Sequence, residues 1–229
     1  MKTIGLIGGM SWESTVIYYQ IINQVIKERL GGLHSAKLLL YSVDFAVIEE
    51  CQANDEWNKS ADILADVAKN LEGAGADFIV ICTNTMHKVV PQIQKQISIP
   101  ILHIADATAD SLIDAGIKKV ALLGTKYTMT QGFYKEKLIA RGISVVIPEE
   151  EDVELVNRVI YEELCLGVLT DTSRNQYQRI IGDMKAKGAE GVILGCTEIG
   201  LLINQEDSSL LIFDTTQIHA RVAAVEAIS

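Results

Sequence analysis

The chain has 229 residues, 48% of them apolar and 22% charged, which excludes a disordered chain and admits one large domain or two small ones. The net charge of −10, with no block of Lys and Arg to reverse it locally, excludes nucleic acid and anionic membrane surfaces as broad partners. A small molecule remains, because one cation or a few helix-terminal N–H groups can hold a carboxylate.

The first strand is predicted at 3–8 and runs into Gly8-Gly9-Met10-Ser11. The apolar stretch at the start is too short and too cut by glycines for a secretory signal, and no later run approaches a membrane span. The expected compartment is the cytoplasm. Gly5-x-x-Gly8-Gly9 lacks the G-x-G-x-x-G spacing and reads as a tight turn before a helix, not as a dinucleotide site. Trp12, Tyr18 and Tyr19 are expected to pack that first helix.

Further strands are predicted at 37–43, 76–82, 99–104, 118–124, 143–147, 190–195 and 209–213. Between them lie amphipathic helical stretches, such as Ile63, Leu64, Val67, Ala68 and Leu71 on one face. Gly73, Gly116, Gly142 and Gly188 stand where helices should stop. The acidic run Glu149 to Asp152 reads as a solvated helix N-terminus. Strand and helix alternating in this way predict a parallel sheet.

A small TIM barrel would share that alternation. An internal repeat favours two sheets instead. Residues 2–8 match 118–124 at an offset of 116, and residues 75–80 match 188–193 at an offset of 113. The expected fold is α/β: two similar doubly wound parallel-sheet lobes related by a pseudo-twofold axis. The first lobe is placed at 1–100, with 209–229 returning to it, and the second at 101–208.

The repeat lands on polar residues. Cys82 meets Gly195, Thr83 meets Cys196, Asn84 meets Thr197, and Thr85 meets Glu198. Each segment follows an apolar strand and leads into a helix, the end of a parallel sheet where ligands bind. Two lobes facing each other would set Thr83 and Cys196 on opposite sides of one cleft, where one group removes a proton and the other returns one. The four cysteines form no Cys-x-x-Cys pair and only four histidines are present, so no metal site is expected. Cys51, Cys82 and Cys165 read as small buried hydrophobes, with Cys82 turned from the cleft by strand alternation. His87 falls one turn into a helix beside the site and His103 at a strand end, and both divide evenly between a structural and an orienting role. His34 and His219 carry no signal.

Cys82-Thr83-Asn84-Thr85-Met86-His87, Leu194-Gly195-Cys196-Thr197-Glu198 and Gly8-Gly9-Met10-Ser11 resemble three segments of the aspartate/glutamate racemase family. The resemblance runs from the first strand to the last helix, and all three motifs in this order are specific to the superfamily. It implies an isomerase, a cofactor-independent amino-acid racemase that uses thiols and not pyridoxal phosphate, assembled as a homodimer. It also implies that Asn84, Thr85 and Thr197 hold the substrate's carboxylate and amino groups, with Met10 and Ser11 lining the pocket. Cys196 becomes the base for the L-enantiomer, its pKa of about 8.5 expected to fall under helix dipoles. Glu198 is assigned to tuning Cys196 in preference to helix capping.

The departures matter equally. The family places a cysteine where this chain has Thr83, a poor base, which predicts a preference for L-substrates. The family's aspartate racemases carry an Arg after the second strand and a Lys near Cys165. Here 46–52 holds no Arg and 164–166 no Lys, which leaves Gln52 for the substrate's far end and opens the site to neutral polar amino acids. A superfamily decarboxylase, a maleate-type isomerase with one thiol nucleophile, and a catalytically lapsed amino-acid-binding protein are the alternatives.

Overall fold

The computed structural model describes residues 1–229. In chain order the elements are β1 Ile4–Gly8, α1 Trp12–Leu30, β2 Leu38–Ser42, α2 Phe45–Ala53, α3 Trp57–Gly73, β3 Phe78–Ile81, α4 Val90–Gln94, β4 Ile101–Leu102, α5 Ile104–Asp114 and β5 Lys119–Gly124. Then follow α6 Lys126–Thr130, α7 Gly132–Ala140, β6 Ser144–Val146, α8 Glu150–Glu162, α9 Asp171–Ala186, β7 Gly191–Gly195, α10 Ile199–Leu202, β8 Leu211–Asp214 and α11 Thr215–Ile228. All eight expected strands form.

They make two four-stranded sheets of the same order, β2-β1-β3-β4 and β6-β5-β7-β8, and every pairing is parallel. β1, β3 and β7 are buried at every residue, as expected of inner strands covered by helices on both faces. Their unbroken apolar sequences follow from that burial.

The chain divides into two compact units, Met1–Ile104 with His219–Ser229, and Ala105–Ile218. The core of the first joins β1 and β3 to Tyr18, Ile22, Val25 and Ile26 of α1, and to Ala220, Ala223, Ala224 and Ala227 of α11. The core of the second packs Ala121, Val192 and Leu194 against α8 and α9.

Two expectations are corrected. The strand at 209–213 does not return to the first lobe: β8 pairs with β7, Ile193 opposite Phe213, and only the later part of α11 lies in the first unit. Trp12 and Tyr19 do not pack the first helix either. Both are exposed on one helical face with Val16, while Tyr18 points inward on the stripe with Ile22 and Val25. The acidic run behaves as expected, opening α8 behind Glu149.

Candidate active site

In the first unit the chain leaves β1 through a turn that only glycine fits. Gly9 has φ +90°, and a Cβ there would lie 2.2 Å from the Val43 carbonyl oxygen. Ser11 then caps α1, with its side chain accepting from Ser14 N. The Ser11 carbonyl accepts from Ser14 Oγ at 3.1 Å and from Thr15 Oγ1 at 2.7 Å. Thr15 Oγ1 in turn accepts from Gly9 N at 2.9 Å. Met10 and Ser11 are thereby held in a rigid, buried turn at the carboxyl end of β1.

β3 ends at Ile81, and a 3-10 helix, Thr85–Val89, begins four residues later. Asn84, Thr85, Met86 and His87 are buried, and Thr83 is half-buried. Gln52 Nε2 donates to Met86 Sδ at 3.0 Å, so Gln52 sits against this helix, engaged with the protein. Cys82 belongs to the core beside Ile4, Phe78 and Val80, and burial pushes its thiol far up.

His87 carries more than its sequence position suggested. Its Nδ1 lies 2.8 Å from the Thr83 carbonyl oxygen, and its Nε2 accepts from Ile104 N at 3.2 Å. Its ring centroid is 4.6 Å from that of His103 and 5.7 Å from that of His219. His219 Nε2 is 2.9 Å from the Leu102 carbonyl and its Nδ1 2.9 Å from Tyr18 Oη. Burial first, then the other two histidines, holds His87 well below the ordinary imidazole value, and burial lowers His219 to about 4. Sequence reasoning missed His219, because its partners lie in β4 and α1, far away in the chain.

In the second unit β7 delivers Cys196, Thr197 and Glu198, all buried. Cys196 Sγ donates to Glu198 Oε2 at 2.9 Å, and Thr197 Oγ1 donates to the same oxygen at 2.8 Å. Glu198 stands at the N-cap position of α10 but makes no side-chain cap bond, so its carboxylate serves the thiol and hydroxyl instead. The expected lowering of the Cys196 pKa does not occur. Burial, then the negative charge of Glu198, pushes the thiol well above its ordinary value. The reason is local: α10 is a single turn of four residues, too short for an appreciable dipole. The Cys196 thiol is therefore held in its protonated form, donating to Glu198. Tyr177, also buried beneath this site, donates to the Val156 carbonyl at 3.2 Å.

No three His, Cys, Asp or Glu side chains are grouped as a metal ion would need. All four cysteines are free, and no helix is long and apolar enough to cross a membrane. The segment of the second unit thus supplies a thiol hydrogen-bonded to a carboxylate, and that of the first unit a hydroxyl at the equivalent place with a buried amide and hydroxyl beside it.

The chain matches the Asp/Glu/Hydantoin racemase family over residues 7–223. It is 25% identical over 224 residues to the broad specificity amino-acid racemase RacX of Bacillus subtilis (strain 168), covering 95% of each chain. A solved structure of a candidate Asp/Glu racemase from Yersinia pestis shares 55% identity with a TM-score of 0.93, over 100% of both chains. An aspartate racemase homologue from Pyrococcus horikoshii OT3 shares 40% identity with a TM-score of 0.86, also over 100% of both.

Proposed function

The chain belongs to the Asp/Glu/Hydantoin racemase family, whose racemases are isomerases, and from that membership we propose a cofactor-independent racemase of aspartate, glutamate or a closely related amino acid. The observation that carries the reading is the 2.9 Å hydrogen bond from the Cys196 thiol to Glu198. It gives the thiol a proton acceptor of its own, so a nucleophilic sulfur can form at the moment of reaction.

In the proposed sequence Glu198 takes the thiol proton, and the Cys196 thiolate removes the α-proton of an L-amino acid. The resulting carbanion is stabilised through the substrate carboxylate, held by backbone N–H groups and Asn84, with Met10, Ser11, Thr85 and Thr197 completing the substrate contacts. Thr83 relays a proton from water to the opposite face, its hydroxyl accepting one from the water as it gives its own to the carbanion, so no alkoxide is left. A hydroxyl has no accessible anion near neutral pH, so α-proton exchange from D-substrates, which needs a base on the Thr83 side, is slower than exchange from L-substrates. Racemisation at limiting substrate is equal in the two directions because the equilibrium constant is one. Gln52 meets the far end of the side chain, and without an Arg or Lys there a neutral polar side chain is accepted beside the dicarboxylates. The four free thiols fit a reducing cytoplasm.

The test is proton NMR of L- and D-aspartate, glutamate and homoserine with purified protein in deuterated buffer, without added cofactor. Loss of the L-substrate α-proton signal, abolished in Cys196→Ala, is the expected result. No exchange from either enantiomer of any of the three would remove the racemase reading in favour of a single-thiol decarboxylase, an isomerase or a binding protein.

A further inference from the structure

The two halves solve one problem with different chemistry. Thr83 and His87 correspond to Cys196 and Gly200 at the repeat offset of 113. The ladders set Ile79 opposite Ile101 and Val192 opposite Ile212, so His103 corresponds to Asp214. In the second unit a Cβ on Gly200 would lie 2.6 Å from Asp214 Oδ2, so the carboxylate lies across that glycine. Asp214 Oδ1 accepts from Thr216 N at 2.8 Å and Gln217 N at 3.2 Å, capping α11.

In the first unit the buried His87 imidazole takes that place. Its Nε2 accepts from Ile104 N, the first residue of α5, so it too caps the helix after the fourth strand. A carboxylate can do no more than accept. An imidazole has a second nitrogen, and with Nε2 accepting, Nδ1 carries the proton and donates to the Thr83 carbonyl at 2.8 Å. The corresponding carbonyl, that of Cys196, is satisfied by its own helix through Ile199 N at 3.1 Å. Only the half with a hydroxyl in the catalytic place has a side chain dedicated to that residue's backbone.

Resting on the racemase reading above, we propose that His87 is a positioning residue: its Nδ1–H bond to the Thr83 carbonyl fixes the peptide that sets the Thr83 hydroxyl for proton return. Fixing that carbonyl sets ψ at Thr83 and the entry of Asn84 and Thr85 into their 3-10 turn. His219 supports the arrangement by tying the end of β4 to α1 through the Leu102 carbonyl and Tyr18 Oη.

The test separates proton return from proton removal. In deuterated buffer an L-substrate gains deuterium with retention when Cys196 returns the proton and with inversion when the Thr83 side does. The ratio of inversion to retention is independent of the folded fraction. His87→Gln keeps an acceptor for Ile104 N but loses the donor to Thr83, and the ratio is expected to fall by about tenfold or more. His87→Asn places its amide where Nδ1 stood, and the ratio is expected to stay near the wild-type value. A His87→Gln ratio equal to wild type, with both rates reduced together, would reduce His87 to a structural histidine. Should neither variant fold, the tautomer read from proton–nitrogen correlations of the wild-type ring decides: Nδ1–H is expected, and Nε2–H overturns the assignment. Absence of any exchange in the wild-type protein would instead overturn the racemase reading itself, and this inference with it.

Discussion

The sulfur of Cys196 lies 2.9 Å from Glu198 Oε2, and Thr197 Oγ1 binds the same oxygen at 2.8 Å. The geometry has a direct electrostatic consequence. A carboxylate beside a buried thiol opposes thiolate formation, so the proposed activation is transfer of the thiol proton to Glu198. Glu198→Gln removes the acceptor and nearly conserves shape. Its kcat for L-substrates is expected to fall by roughly 10²-fold, the usual yield of a positioned base. Cys196 titrates more easily in that variant, since the neighbouring negative charge is gone, so thiol alkylation should accelerate while exchange slows. Parallel loss of both would point to a collapsed site.

Thr83→Cys tests the asymmetry of the two halves. A thiol supplies an accessible anion where a hydroxyl does not. Deuterium exchange into D-substrates is expected to rise at least about tenfold over the wild-type protein, with L-substrate exchange changing little. The comparison is made at limiting substrate, where α-proton exchange from each enantiomer is read as its own second-order rate. An unaltered D-rate would mean that position 83 is not the group facing the second side of the carbon.

Cys82 and Cys196 offer a contrast between two buried thiols. Cys82 is enclosed among Ile4, Phe78 and Val80 and meets only the Val80 carbonyl, at 3.9 Å. Cys82→Ala is expected to cost about 1 kcal/mol of stability and to leave exchange of L-substrates intact. Cys196→Ala is expected to abolish exchange with little loss of stability. Urea unfolding and α-proton exchange on both variants settle the pair, and loss of exchange in Cys82→Ala would give the first half a working thiol after all.

How much of this was legible in the sequence depends on the range of the interaction. The strands, the repeat and the two site segments were readable because each is a local pattern: an apolar run, then small polar residues, then a helix. The place of β8 was not, since a short edge strand such as Leu211–Asp214 reads the same whichever sheet receives it. The outward face of Trp12, Val16 and Tyr19 defeated a reading by residue type, because an aromatic residue on a helix does not announce which side is covered. The Cys196 shift was missed with its sign reversed, since the helix behind it is one turn long and the charge beside it is negative. The histidine cluster needs β4, the 3-10 helix, α1 and α11 to be assembled before any of its bonds exists.

That cluster makes stability depend on pH in a defined window. Burial lowers His219 to about 4 in the folded protein against an ordinary 6.5, outweighing the Leu102 carbonyl, whose bond to the ring favours the charged form. The unfolded chain therefore binds a proton at His219 between pH 6.5 and 4 that the folded chain refuses, so stability falls as pH drops through that range. From pH 7 to pH 5 the loss is about 2 kcal/mol from this group, and His87, held low by the same burial, adds to it in the same direction. Urea midpoints between pH 5 and 7 are the measurement, with His219→Gln as the comparison. The variant is expected to start lower at pH 7, having lost the bond to Tyr18, and to show a flatter dependence on pH. An equal slope in both proteins would mean that the acid sensitivity arises elsewhere.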